Sequence, residues 1–154
     1  MIPVFDKLSD KEIEVMLRAP LIACILIAGA DGNVDRKEIK KAIHHTQRNA
    51  AKAKATVVDY FKLVEVDFED KLKIVMQSLP VDVESRNRLI VEELTTLNSI
   101  LPKLKNTFAT EFYSRMKDLA HEIASSSGGV LGIGNKVGDE EALYVELPMI
   151  KNPA

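Results

Sequence analysis

The chain has 154 residues, of which 46% are hydrophobic and 29% charged. This composition is typical of one globular domain and excludes a disordered protein. Its 21 basic and 23 acidic residues leave a net charge of −2, so nothing in the overall charge favours nucleic acid or an anionic membrane as partner. Cys24 has no second thiol with which to form a disulfide or a zinc site.

No apolar run approaches the roughly 20 residues that span a bilayer. Residues 1–7 also lack the basic and apolar segments of a secretory signal. We therefore expect a cytoplasmic protein without membrane insertion.

The N-terminal part of the chain predicts two helices in succession. Ser9 and Glu12 form a capping box that starts the first helix, and Pro20 is expected to end it. The second helix, Leu21 to Ala28, is apolar on all sides and should therefore lie at the centre of the core. Gly29 and Gly32 mark its end.

Asp35 and Glu38 form a second, carboxyl-first capping box, which starts a long helix with a basic face. Apolar positions at the helical period predict further helices at 57–66, 69–79, 83–101 and 108–125. Five glycines between Gly128 and Gly138 predict a loop, and a short helix is expected to start at Asp139. The sequence thus predicts a single all-α domain, residues 1–154, with about seven to eight helices in a compact bundle.

Two parts of the chain share one pattern: a helix end, a glycine turn, a valine and an acidic helix start. They extend over about 21–50 and 108–147, so that residues 27–32 align with 123–128 and, after an insertion, 34–38 with 137–141. Repeated helix–turn–helix units are a common way to build a helical bundle. The sequence therefore predicts two pseudo-repeated halves, although the shared pattern is short.

The Ala-Asp-Gly turn at 30–32 follows an apolar helix and has a Glu seven residues after its Asp. It resembles the motif of the tellurite-resistance TerB-like family. The part of this chain that resembles the family extends from Leu21 to about Leu147. The resemblance implies an all-helical bundle of two related halves, a divalent cation bound by acidic residues of the two turns, and a role in stress or tellurite resistance. Asp31, Gly32 and Glu38 match the first motif and Glu141 matches the second, in which Ser127 stands where the family has Asp.

Carboxylate oxygens are the ligands that calcium and magnesium prefer. Residues 31–38, here called the acidic segment, match the second half of an EF-hand loop, but Ile27 and Gly29 stand where the first half needs oxygen ligands. The predicted metal ligands are Asp31, Asp35, Glu38, Asp139 and Glu141. The alternative is that Asp35 and Glu38 only cap a helix and interact with its dipole, and Asp31 discriminates between the two because capping does not require it.

The glycine loop favours contact with another protein or a second copy through Gly128, Gly129, Val130, Leu131, Gly132, Ile133 and Gly134. Its spacing does not fit a nucleotide-binding motif. His44 and His45 are adjacent, point about 100° apart on a helix, and form a poor chelating pair. No catalytic constellation is visible, so the expected function is non-enzymatic: a cation-binding module or, alternatively, a metal-free interaction scaffold.

Overall fold

Helices form every long element in the described part of the chain. The structure, a computed structural model, describes residues 2–29, 36–49, 55–127 and 144–154, and no strand occurs in these ranges. The longer helices are α1 (Asp10–Ala28), α2 (Arg36–Asn49), α3 (Ala55–Glu65), α4 (Phe68–Ser78), α5 (Val83–Thr95) and α7 (Asn106–Ser127). A single turn, α6, spans Leu97–Ile100, and 3₁₀ turns lie at Pro3–Phe5 and Leu101–Lys103. The all-α prediction is confirmed.

The predicted end of the first helix at Pro20 is wrong, because α1 continues through this proline to Ala28. Pro20 has no N–H to donate to the carbonyl of Met16, four residues earlier, which ordinarily stops or kinks a helix. Here the hydroxyl of Tyr60 on α3 donates to that carbonyl. The side chain of a distant residue thus replaces the missing backbone donor, and the first two predicted helices are one.

The C-terminal half of α1 is the centre of the core. Every residue from Ala19 to Gly29 is buried, and α1 contacts each of the other long helices. A helix that is apolar on all sides is stable only when neighbours cover all of it. The predicted central position of Leu21–Ala28 is therefore confirmed, as are the capping box of Ser9 and Glu12 and the helix end at Gly29.

The predicted helix at 83–101 is divided at Thr96 into α5 and α6. The hydroxyls of Thr95 and Thr96 donate to the carbonyls of Val91 and Glu93, and the Thr96 N–H also bonds to Glu93. Threonine hydroxyls that bond to preceding carbonyls compete with the regular helix. This local competition explains the break, which the apolar periodicity did not predict.

None of the described helices combines the length and the apolar composition that crossing a bilayer requires. The predicted loop at 128–138 and the predicted helix start at Asp139 lie outside the described residues.

Candidate functional site

The two long helices α1 and α7 begin at the same end of the bundle. Lys103, three residues before α7, forms an ion pair with Glu12 in the first turn of α1, with 2.6 Å between Nζ and Oε2. Tyr60 bonds to Met16 of α1 and packs edge-to-face on Phe112 of α7, with ring centroids 5.5 Å apart. Because α1 and α7 also pack against each other extensively, they run in the same direction and finish at the same end.

This common end is where the chain leaves α1 towards the acidic segment. Gly29 is 13 residues after Met16, and Ser125 is 13 residues after Phe112. Both therefore lie near this common end. The carbonyl of Gly29 accepts a hydrogen bond of 2.6 Å from the Arg86 guanidinium of α5. Carbonyls at a helix C-terminus lack intrahelical partners and carry partial negative charge, so a cation is stabilised there.

Arg86 is unusual because its side chain is charged and yet only 5% exposed. Burial lowers the pKa of the guanidinium from its ordinary value. Among the described residues, its Nε atom has no hydrogen-bond partner, and neither has Oδ1 of the neighbouring Asn87. Arg86 is not among the predicted site residues, although the sequence carries a signal for it. Arg86, Ile90 and Leu94 recur at helical spacing, so Arg86 falls on the buried face of α5.

Of the five predicted metal ligands, Glu38 is the one within the described residues. It lies half-buried in the first turn of α2, where a carboxylate interacts favourably with the helix dipole. Asp31, Asp35, Asp139 and Glu141 lie outside the described residues, as does the predicted contact loop Gly128–Gly134. Within the described ranges, no three His, Cys, Asp or Glu side chains are grouped so that they could hold a metal ion.

The C-terminal tail, residues 144–154, returns to α7 after the second motif. Glu146 bonds to Lys117 and His121 of α7, at 3.1 and 2.5 Å respectively. Asn98 of α6 donates to the Met149 carbonyl and accepts from the Lys151 N–H, at 2.9 and 2.8 Å. The described residues that follow 143 are therefore attached to the C-terminal half of α7.

Acidification is expected to weaken this attachment. Hydrogen bonds from Lys117 and then His121 lower the pKa of Glu146 below its ordinary value of 4.5. A carboxyl whose pKa is lower in the folded state stabilises the fold above the unfolded-state pKa, and this contribution disappears as pH falls through the folded-state value. Glu146→Gln should therefore lower the free energy of unfolding at pH 7, and the difference from wild type should vanish in acid below pH 4.5.

Urea unfolding followed by circular dichroism at several pH values measures this difference. Glu92→Gln is the control, since Glu92 is exposed on α5 and forms no hydrogen bond or ion pair within the described residues. A Glu146→Gln difference that stays constant from pH 7 into acid would contradict the assignment.

His44 and His45 bond to different helices. Nδ1 of His44 lies 3.2 Å from Glu65 at the end of α3, and Nδ1 of His45 lies 2.8 Å from Glu122 of α7. The expectation that the two imidazoles do not chelate one ion agrees with this divergence. Their contacts connect α2 to α3 and to the C-terminal half of α7.

Cys24 lies fully buried in α1, and this burial raises the pKa of its thiol strongly. A thiol without solvent contact and with a raised pKa is a structural group and not a nucleophile.

The fold defines the chain as an all-α helical bundle with a central apolar helix. A scan of protein-family models gives no match, and no solved structure matches significantly. The chain is 25% identical over 125 residues to an uncharacterized protein, ORF11′, of Methanothermobacter thermautotrophicus. The aligned region covers 79% of this chain and 78% of that protein.

Proposed function

We propose that this chain is a non-enzymatic, TerB-like helical module that binds a divalent cation, calcium or magnesium, at the end of the bundle where α1 and α7 finish. The ligands are Asp31, Asp35 and Glu38, joined by Asp139 and Glu141. On the family resemblance, the module acts in a cytoplasmic stress or tellurite response.

The observation that carries this proposal is the parallel arrangement of α1 and α7. Gly29, two residues before Asp31, directly follows α1, and Ser127, which takes the place of that Asp in the second motif, is the last residue of α7. Both helices finish at one end of the bundle. The two motifs therefore start from neighbouring points, although 96 residues separate Asp31 from Ser127 in the sequence. A hard cation needs several oxygen ligands, and convergence of two segments can supply more than one turn alone.

Two further contacts support the proposal because they hold the flanks of both segments. Arg86 binds the carbonyl of Gly29, two residues before Asp31. Glu146, five residues after Glu141, binds Lys117 and His121 of α7. Anchored flanks reduce the conformational entropy that a loop loses when its side chains converge on an ion.

Calorimetric titration with calcium, magnesium and manganese, accompanied by thermal unfolding, tests this function. We expect saturable binding to wild type. At a free-ion concentration of about 100 times the dissociation constant, binding should raise the free energy of unfolding by about 2.7 kcal/mol. Asp31→Ala and Glu38→Gln should each weaken binding at least about tenfold, which corresponds to about 1.4 kcal/mol. Without metal, Asp31→Ala should unfold at the wild-type temperature.

Glu84→Gln is the matched control, because Glu84 is a first-turn carboxylate of α5 and belongs to neither motif. It should leave metal affinity unchanged. The absence of both heat and thermal stabilisation with all three ions would refute cation binding. That result would favour the alternative, a metal-free interaction scaffold in which the acidic residues cap helices and Gly128–Gly134 contacts a partner.

A further inference from the structure

An apolar groove lies between the N-terminal half of α1 and the helix α4, towards the opposite end of α1 from Gly29. Its volume is about 490 Å³. Its apolar lining consists of Ile13, Leu17, Leu21, Ile74 and Val75, and its charged rim of Asp10, Glu14, Arg18 and Lys71. This size lies within the range of 300–1,000 Å³ that is common for binding sites.

The exposed side chain of Ile74 shows that the groove is not completed by the described fold. Phe68, Leu72 and Val75 occupy the buried face of α4, and this spacing directs Ile74 away from the core. Ile74 is 63% exposed. A large aliphatic side chain beside an apolar groove favours burial against a partner, because water contact with this surface is unfavourable.

The shape of the groove suits an α-helix. Ile13, Leu17 and Leu21 recur every four residues and form one ridge of α1, about 12 Å long at 1.5 Å per residue. A partner helix can pack two turns along such a ridge, with α4 as the second wall. This is the helix-in-groove mode, in which apolar anchors recur at i, i+3 or i+4, and i+7.

The charges on the rim indicate which charge a bound partner should carry. Both rim cations already have partners within the fold: Arg18 pairs with Glu93 at 2.8 Å, and the Lys71 ammonium donates to the Leu63 carbonyl at 2.7 Å. Asp10 and Glu14 are exposed on α1, one turn apart, and neither has a hydrogen-bond or ion-pair partner within the described residues. Glu93 neutralises Arg18, so the two carboxylates of Asp10 and Glu14 outweigh the single ammonium of Lys71 and the net charge of the rim is negative.

We propose that this groove binds one amphipathic helix of a partner protein, whose apolar face covers Ile74 and whose lysine or arginine residues face Asp10 and Glu14. Complementary charges across such a rim favour encounter and orientation, while the apolar contacts supply most of the affinity. The surface is separate from the proposed cation site and does not depend on it.

The probe is a synthetic, fluorescein-labelled 18-residue helical peptide with leucine at i, i+3, i+4 and i+7 and lysine on the flanks. A second peptide carries glutamate in place of lysine, and a third has the first composition in shuffled order. Fluorescence anisotropy in EDTA should show saturable 1:1 binding of the lysine peptide to wild type and at least about tenfold weaker binding of the other two.

Ile74→Asp should weaken binding of the lysine peptide at least about tenfold, and Glu14→Lys about three- to tenfold. Val81→Asp is the matched control, because Val81 is 96% exposed and does not line the groove, and it should bind as wild type does. Both groove positions are exposed, so the variants should retain the wild-type unfolding temperature, which thermal melts check.

Equal binding of the lysine peptide to wild type and to folded Ile74→Asp would overturn the proposal. Equal binding of the glutamate peptide would refute the basic occupant. Sedimentation of wild type alone should show a monomer, and a dimer that Ile74→Asp dissociates would assign the groove to a second copy instead. Because EDTA is present throughout, these outcomes are independent of metal binding.

Discussion

Tyr60→Phe is expected to lower the free energy of unfolding by about 1–3 kcal/mol, the cost of leaving one buried polar group without its hydrogen bond. The substitution removes only the hydroxyl, which donates to the Met16 carbonyl. That carbonyl is buried beside Pro20, which cannot donate to it. The ring would keep its edge-to-face contacts with Phe5, Phe61, Phe108 and Phe112.

A double-mutant cycle with Pro20→Ala tests whether the Tyr60 hydroxyl stabilises the fold by replacing the N–H that Pro20 lacks, or for an unrelated reason. Alanine at position 20 restores an N–H that can bond to Met16 within the helix. Tyr60→Phe should therefore cost at least about 1 kcal/mol less in the Pro20→Ala background, a coupling within the range for residues in one hydrogen-bond network. Urea unfolding of the four proteins measures the cycle, and equal costs in both backgrounds would show that the hydroxyl does not compensate for the proline.

Arg86→Ala is expected to cost about 1.5–3 kcal/mol, the usual value for a hydrogen bond that involves a charged group. The bond joins α5 to the carbonyl of Gly29, which directly follows α1, over 57 residues of sequence. Its loss also removes the positive charge that faces the C-terminal end of the α1 dipole. Because Gly29 precedes the acidic segment, the variant tests whether this anchor also supports cation affinity.

Arg86→Met is the informative control, since methionine retains an aliphatic stem of similar length but cannot donate a hydrogen bond. If Arg86→Met is as stable as wild type in urea, the contact with Gly29 contributes no net stability and packing alone explains the burial. This outcome is physically possible because a charged group loses its hydration when it is buried. A Met variant as unstable as Arg86→Ala would assign the stability to the hydrogen bond.

Local patterns in the sequence predicted most of the helices. The period-3.6 apolar positions located α2, α3, α4 and α7, because a helix on the surface of a core must bury one face. The capping box at Ser9 and Glu12 and the helix end at Gly29 involve neighbours in sequence only. For the candidate site, the sequence indicated the carboxylates, of which Glu38 lies in the first turn of α2 as expected.

Features that depend on distant residues required the tertiary structure. Pro20 predicts a helix end because it cannot donate a hydrogen bond to the Met16 carbonyl. The hydroxyl that does donate to this carbonyl belongs to Tyr60, 44 residues away in the sequence. Helical spacing places Arg86 on the buried face of α5, but only the tertiary structure shows that the Gly29 carbonyl is its partner. Ile74 lies in the predicted helix at 69–79, but only the tertiary structure shows that α4 buries Leu72 and Val75 and leaves Ile74 exposed.

The sequence by itself determined that this chain is all-α, that Leu21–Ala28 lies at the centre of its core, and that carboxylates stand on both sides of Gly32 in the sequence. These properties follow from side-chain periodicity and backbone conformation, which act between near neighbours. Only the tertiary structure decided that α1 and α7 run in the same direction and that Arg86 binds the end of α1. The direction of packed helices and the partners of buried charges depend on contacts between residues far apart in sequence, and no local pattern specifies these contacts.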